Sequence, residues 1–310
     1  MTAWPRLDYA ADAGTIETLH LLLQLVGKLP TRLHPWLNHG WHAALRMTAF
    51  GAATRPLPAG DRQFFVELDF HQGAIAVMRS DGVRESVAIA GKTVAEVHHE
   101  LTALLARMGL PAPLHGKPNE LPDPIPFAED ERPRHWDADA ARRLHNAFLN
   151  ADRAFNAFRS CYLGKSSPSH LFWGSFDLAV TRFSGRLAPQ HPGGIPHLPD
   201  AVTREAYSHE VISAGFWPGN GGFGQAAFYA YAYPVPAGLG ESSVLPAAAG
   251  WKGDLGEFIL PYAAVRDAAD PDALLREFLT STFDAAARLL DWPEGLLIPG
   301  APCCGHPPQT

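Results

Sequence analysis

Seven prolines fall within residues 111–133, and this run constrains the chain more than any other feature. Proline has no amide hydrogen and restricts the residue before it to extended conformations. Neither a long helix nor a central strand can therefore run through the stretch. It divides the chain into two parts of domain size, residues 1–110 and 137–292. Residues 111–136 are expected to form a linker and residues 293–310 a flexible tail.

Both parts show the same order of periodicities. In the first, Ile16, Leu19, Leu22, Leu23 and Val26 recur at helical spacing, which predicts a helix over 15–29. Strand-like runs follow at 44–51, 63–70, 74–79 and 85–89. The last pair is joined at Asp81-Gly82, a turn dipeptide. Val94, Val97, Leu101, Leu104, Leu105 and Met108 return to helical spacing over 94–108. In the second part a helix is expected over 137–163, strands over 170–184, 210–217, 227–233 and 256–262, and a last helix over 272–290. The expected fold class is α+β: two similar helix–antiparallel sheet–helix modules related by internal duplication. Local matches support the duplication. Leu19-His20 corresponds to Leu144-His145, and Gly27-Lys28 before Pro30 to Gly164-Lys165 before Pro168. Residues 45–50 likewise lie over residues 178–183.

Apolar residues make up 46% of the chain, enough to bury a sizeable core. The formal net charge of -7 disfavours general nucleic-acid binding, which needs a basic surface for phosphate. The longest apolar stretch near the start, residues 19–26, is interrupted by His20 and Gln24. It is far shorter than the roughly 20 residues of a bilayer helix, so no membrane segment is expected. An odd, low count of three cysteines argues against a disulfide framework and for a reducing, cytoplasmic compartment.

Cofactor motifs are few. Gly164-Lys165-Ser166 has the end of a phosphate-binding loop, but Arg159 stands where that loop needs glycine. The glycine-rich residues 215–224 lie between two strands, without the strand–turn–helix setting of a dinucleotide fingerprint. No nucleotide cofactor is expected. Cys303-Cys304-Gly305-His306 belongs to the tail.

The unusual chemistry gathers in the second part. Period-two alternation over residues 170–186 puts Asp177 and Thr181 on one face and Phe176, Leu178, Val180 and Arg182 on the other. A carboxylate in a central strand must be paired or hydrogen-bonded, so Asp177 is equally a structural ion-pair partner or a site residue. Tyr229, Tyr231 and Tyr233 share a face of another strand. Residues 204–217 place Tyr207, His209 and Glu210 ahead of a strand that ends at Trp217.

The run His170-Leu-Phe-Trp-Gly-Ser-Phe-Asp-Leu-Ala-Val-Thr-Arg-Phe-Ser-Gly-Arg186, and the run Arg204-Glu-Ala-Tyr-Ser-His-Glu-Val-Ile-Ser-Ala-Gly-Phe-Trp-Pro-Gly219, resemble signatures of a bacterial family. It is catalogued as domain of unknown function five-nine-nine-six. Thr18-Leu19-His20-Leu21, Asn38-His39, Trp41-His42 and residues 122–127 fit it as well. The resemblance covers nearly the whole chain up to about Trp292. It implies a soluble bacterial protein and brings no catalytic residues with it.

The leading expectation is a small-molecule-binding site in the second part, with an enzyme among the readings it allows. His209 would transfer protons because its ordinary pKa lies near neutrality. Asp177 or Glu210 would orient it, and Arg182 would hold an anionic ligand group. Trp173, Tyr207, Trp217, Tyr229 and Tyr231 would line the pocket. A rival places His39, His42, His170 and His209 around one divalent metal ion where the two parts meet. A third reading makes Trp217 and Tyr229 part of an oligomerisation or interaction surface.

Overall fold

The computed structural model describes residues 4–114 and 116–297. Helix α1 (Tyr9–Leu33) starts where Asp8 caps the amide of Ala11, and it runs on through Pro30. It is longer than its periodicity predicts because it is buried on several sides: Leu19, Leu22, Leu23, Leu25, Val26 and Leu29 are all at most 1% exposed. A helix covered all round shows no clean apolar stripe to mark its ends.

The first sheet is antiparallel. It comprises β1 (Arg46–Met47), β2 (Gly51–Ala53), β3 (Leu57–Ala59), β4 (Arg62–Asp69), β5 (Ala74–Arg79) and β6 (Arg84–Ala88). Its order is β1-β2-β4-β5-β6, with β3 branching from β4. The strand expected over 44–51 is instead two short strands around a turn, where Thr48 Oγ1 accepts from the amides of Phe50 and Gly51. Helix α2 (Val94–Arg107) follows, opened by a reciprocal Thr93–Glu96 capping box.

Helix α3 (Ala138–Ser160) leads into the second sheet, formed by β7 (His170–Phe172), β8 (Asp177–Leu187), β9 (His209–Trp217), β10 (Ala227–Tyr233), β11 (Gly250–Lys252) and β12 (Glu257–Pro261). All its pairs are antiparallel, in the order β11-β12-β10-β9-β8-β7. Short α4 (Asp200–Ala206) precedes β9, α5 (Tyr262–Arg266) follows β12, and α6 (Pro271–Leu289) closes the fold. The single strand expected over 170–184 is a hairpin: Phe176 adopts φ 62° in the turn, and its amide donates to the Phe172 carbonyl.

Among the described residues one backbone bridge links the two sheets. Leu45, just before β1, and Leu171 in β7 exchange amide–carbonyl bonds of 3.0 and 2.8 Å. One continuous core joins both halves, from Leu22 and Val66 through Phe148 to Phe228. The proline-rich segment is packed into it, with Leu114 and Phe127 buried. Among the described residues no helix is long and apolar enough to cross a membrane. The Cys303-Cys304 pair lies outside the described residues.

One face of the second sheet meets α3 and α6 through Leu178, Val180, Ala214, Phe216, Phe228 and Leu260, all in the main core. The opposite face carries Asp177, Thr181, Ser213, Tyr229 and Tyr231. Beside it lie the segments around residues 119–120, 189–207 and 218–225. This second face holds the candidate site.

Candidate functional site

Strand parity and register assemble the site. Leu178 pairs with Phe216, and Tyr229 lies across from Gly215, itself across from Ala179. The phenol of Tyr229 runs over Gly215, where a Cβ would overlap the ring. Glycine there lets the side chain cross one whole strand and reach β8, a close approach that any other residue would block. The Tyr229 hydroxyl donates to Asp177 Oδ2, and Ser175 Oγ donates to Oδ1 at 2.6 Å. Asp177 is 8% exposed. Burial pushes its carboxyl up, and the two hydroxyl bonds oppose that.

Two further carboxylates face Asp177, and neither was singled out in the sequence. Glu257 opens β12. Burial, then the Asp177 charge, pushes it up to about 7. Glu120 belongs to the proline-rich segment and is likewise pushed up to about 7 by burial and then Asp177. Its backbone is left-handed, φ 58°, an uncommon conformation for a non-glycine residue. Neighbouring contacts hold it there. Gln24 of α1 accepts from the Asn119 amide at 2.6 Å and donates to the Asn119 carbonyl at 2.9 Å. The Glu120 amide donates to His197 O at 3.2 Å. Its carboxylate rests against Gly174, leaving no room for a Cβ, while the Gly174 carbonyl is held by His20 Nε2 at 2.8 Å.

Aromatic groups complete the face. Tyr207 donates to the Tyr231 hydroxyl at 3.1 Å. Its own hydroxyl is pushed up by burial first, and the charges of Glu257, Asp177 and Glu120 add to this. All three carboxylates therefore bear on one phenol. The Tyr229 and Tyr231 rings stack at 6.0 Å, and Trp217 stacks on Phe223 of the glycine-rich loop at 4.8 Å. From that loop Asn220 Nδ2 donates to Ser175 O at 2.9 Å. Asn220 Oδ1 is buried without a partner.

With this face described, the chain can be set beside known proteins. A model for a family of unknown function, DUF5996, matches residues 4–298. The chain belongs to that family. No curated protein and no solved structure matches it. In this DUF5996 chain, then, the roles of residues rest on the geometry alone.

That geometry brings Asp177, Tyr207, Trp217, Tyr229 and Tyr231 together, and separates the other expected site residues from them. His209 pairs with Leu187, ten residues along β8 from Asp177, or roughly 30 Å at ~3.3 Å per residue. Glu210 accepts from Ser184 Oγ at 2.7 Å and from Arg186 Nε at 2.9 Å. Arg182 points to the opposite face. It is 1% exposed, lies 3.4 Å from the Phe158 ring centroid and donates to the Phe158 carbonyl. Burial lowers it to about 9. Trp173 packs on Gly27 of α1 and donates to Ala43 O at 2.9 Å.

The expected metal ligands do not form one centre. His39 and His209 are neighbours, with ring centroids 5.7 Å apart, but His39 Nε2 is 2.6 Å from Lys165 Nζ. Trp41 stands beside both His39 and His170. His42 Nδ1 accepts from the Leu37 amide at 3.3 Å. His170 is held neutral, lowered to about 3 mainly by burial. Among the described residues no group of three or more His, Cys, Asp or Glu side chains is arranged to hold a metal ion.

Proposed function

We propose that this DUF5996 protein binds a small polar molecule on the loop-flanked face of its second sheet, with Glu120 and Glu257 exchanging protons with it. The observation that carries this reading is the pair of half-buried carboxylates, both at about 7, set around a buried aspartate. A carboxyl that titrates near neutrality can act as an acid or a base at working pH. The charge of Asp177 beside them raises the cost of ionising each one. A structural role alone does not account for keeping them unpaired. His209, Glu210 and Arg182 drop out of the reading because they lie at another end or on the other face of the sheet.

The test compares the wild-type protein with Glu257→Gln in a thermal-shift screen against polar metabolites at pH 7. The reading expects compounds that raise the wild-type melting temperature and fail to raise that of the folded variant. Identical responses from both proteins across every stabilising compound would refute it. Asp177→Asn, which keeps the shape and two oxygen or nitrogen partners, provides an independent second variant.

A further inference from the structure

We propose that the ligand of this face is a small organic cation, an amine or quaternary ammonium compound, held by Glu120, Asp177 and Glu257 beside the rings of Tyr207, Tyr231 and Trp217. The inference rests on the binding reading above and names its ligand class.

The first argument is charge. Among the described residues Glu120 and Glu257 form no ion pair, and the only charged group bearing on either is Asp177. Two basic residues neighbour these carboxylates in the fold, and neither is paired with them among the described residues. Lys28 donates to Asn119 Oδ1 and lies 5.2 Å from the Trp173 ring centroid. Lys252 is directly across from Glu257 in the ladder, but it is exposed and makes no ion pair with it. Three carboxylates without a counter-ion repel an anionic ligand and favour a positive one.

The second argument is the balance of donors and acceptors. The hydroxyls of Ser175 and Tyr229 are committed to Asp177, and that of Tyr207 to Tyr231. Besides the Tyr231 hydroxyl, which accepts in that bond, and the Trp217 indole N–H, what remains is acceptor capacity on Glu120 and Glu257. Asn220 adds to it independently: its side chain is tied by Nδ2 to Ser175, the residue that caps Asp177. Asn220 is 8% exposed, and its Oδ1 has no donor. A buried acceptor left unmade is costly. An ammonium group brings donors and no acceptor, so it matches the open acceptors of Glu120, Glu257 and Asn220. The third argument is the aromatic wall, since ring faces attract cations.

The test titrates the protein at pH 8, above the value of about 7 to which both glutamates are raised. The probes are cadaverine, agmatine and choline, with glucose and succinate as neutral and anionic comparators. The cation proposal expects at least one cationic probe to bind, seen by calorimetry or as a raised melting temperature. Affinity should fall at least tenfold in both Glu120→Gln and Glu257→Gln, each checked by circular dichroism for an intact fold. Glucose or succinate binding that is lost in these variants, with the cations inert, would overturn the cation while leaving the binding face standing. Silence from all five probes would count against both. Cation binding unchanged by either substitution would place the cation elsewhere and overturn the assignment.

Discussion

Replacing Gly27 with alanine opposes two effects of known sign. Gly27 lies inside α1, where alanine should gain about 1 kcal/mol over glycine from helix propensity. The new methyl, however, would sit closer than 3.0 Å to three atoms of the Trp173 indole. Ordinary carbon contacts are about 3.5–4.0 Å, so the ring must retreat by roughly an ångström. It is not free to do so. Its Nε1 donates to Ala43 O at 2.9 Å, and Lys28 lies over its face. Overpacking typically costs about 1–3 kcal/mol, and losing the indole hydrogen bond adds about 1 kcal/mol. The net expectation is a loss of about 1–3 kcal/mol, measured by urea unfolding with the m-value checked for constancy. A Gly27→Ala/Trp173→Leu double variant should lose less than the sum of the two singles, because they share one contact. A Gly27→Ala protein as stable as the wild type, or more so, would refute the packing argument. It would also reopen a ligand role for Trp173.

Three further outcomes follow from the same structure. Glu257 is raised from its ordinary 4.5 to about 7, so the folded state binds more protons than the unfolded state between those values. Its contribution is present below about pH 4.5 and lost as pH rises through 7; Glu257→Gln should therefore gain stability relative to wild type at pH 8 but not at pH 4, and equal curves at both would refute the assignment. His20 and His170, lowered to about 4 and about 3 by burial, act in the opposite sense and destabilise the wild type as pH falls below 6.5, so only the difference between the two proteins isolates Glu257. Arg182→Met should be within about 1 kcal/mol of wild type or more stable, because a buried charge that makes no ion pair among the described residues, with Asp284 the only carboxylate bearing on it and that from beyond ion-pair distance, is costly to keep; it should leave ligand binding unchanged, and a loss above about 3 kcal/mol in chemical unfolding would contradict this. Tyr229→Phe removes a donor from buried Asp177 and should cost about 1–3 kcal/mol, and a neutral result would mean that Asp177 is satisfied by other groups.

Alternation was the most legible signal. Period two placed Asp177 and Arg182 on opposite faces and aligned the three tyrosines of β10, because side-chain direction along a strand depends only on parity. The helix over 94–108 matched Val94–Arg107 closely, with its capping box and one-sided apolar stripe. What parity cannot supply is register. An antiparallel hairpin of these strands would set His209 beside Arg182, and the ladder does bring the two segments together. The irregularity between Phe183 and Leu187, however, gives Glu210 to Arg186, and parity sends Arg182 into the core. Glu257 carried a usable signal, since it alternates with Phe258 in a strand, but its neighbours depended on the order of strands. Glu120 carried none: it is one charged residue among prolines, and only the three-dimensional path of the chain sets it above Asp177.

The route of that path has a practical meaning. Glu120 reaches the second sheet from a strap whose position is set by Gln24 in the first helix. Between its buried anchors Leu114 and Phe127 the strap is partly exposed, and a stretch without regular structure is where a protease would ordinarily make its first cut. A ligand that contacts Glu120 would cover part of this stretch, so the rate of nicking between the two halves becomes a readout of whether the face is occupied, with no need to know what reaction, if any, takes place there.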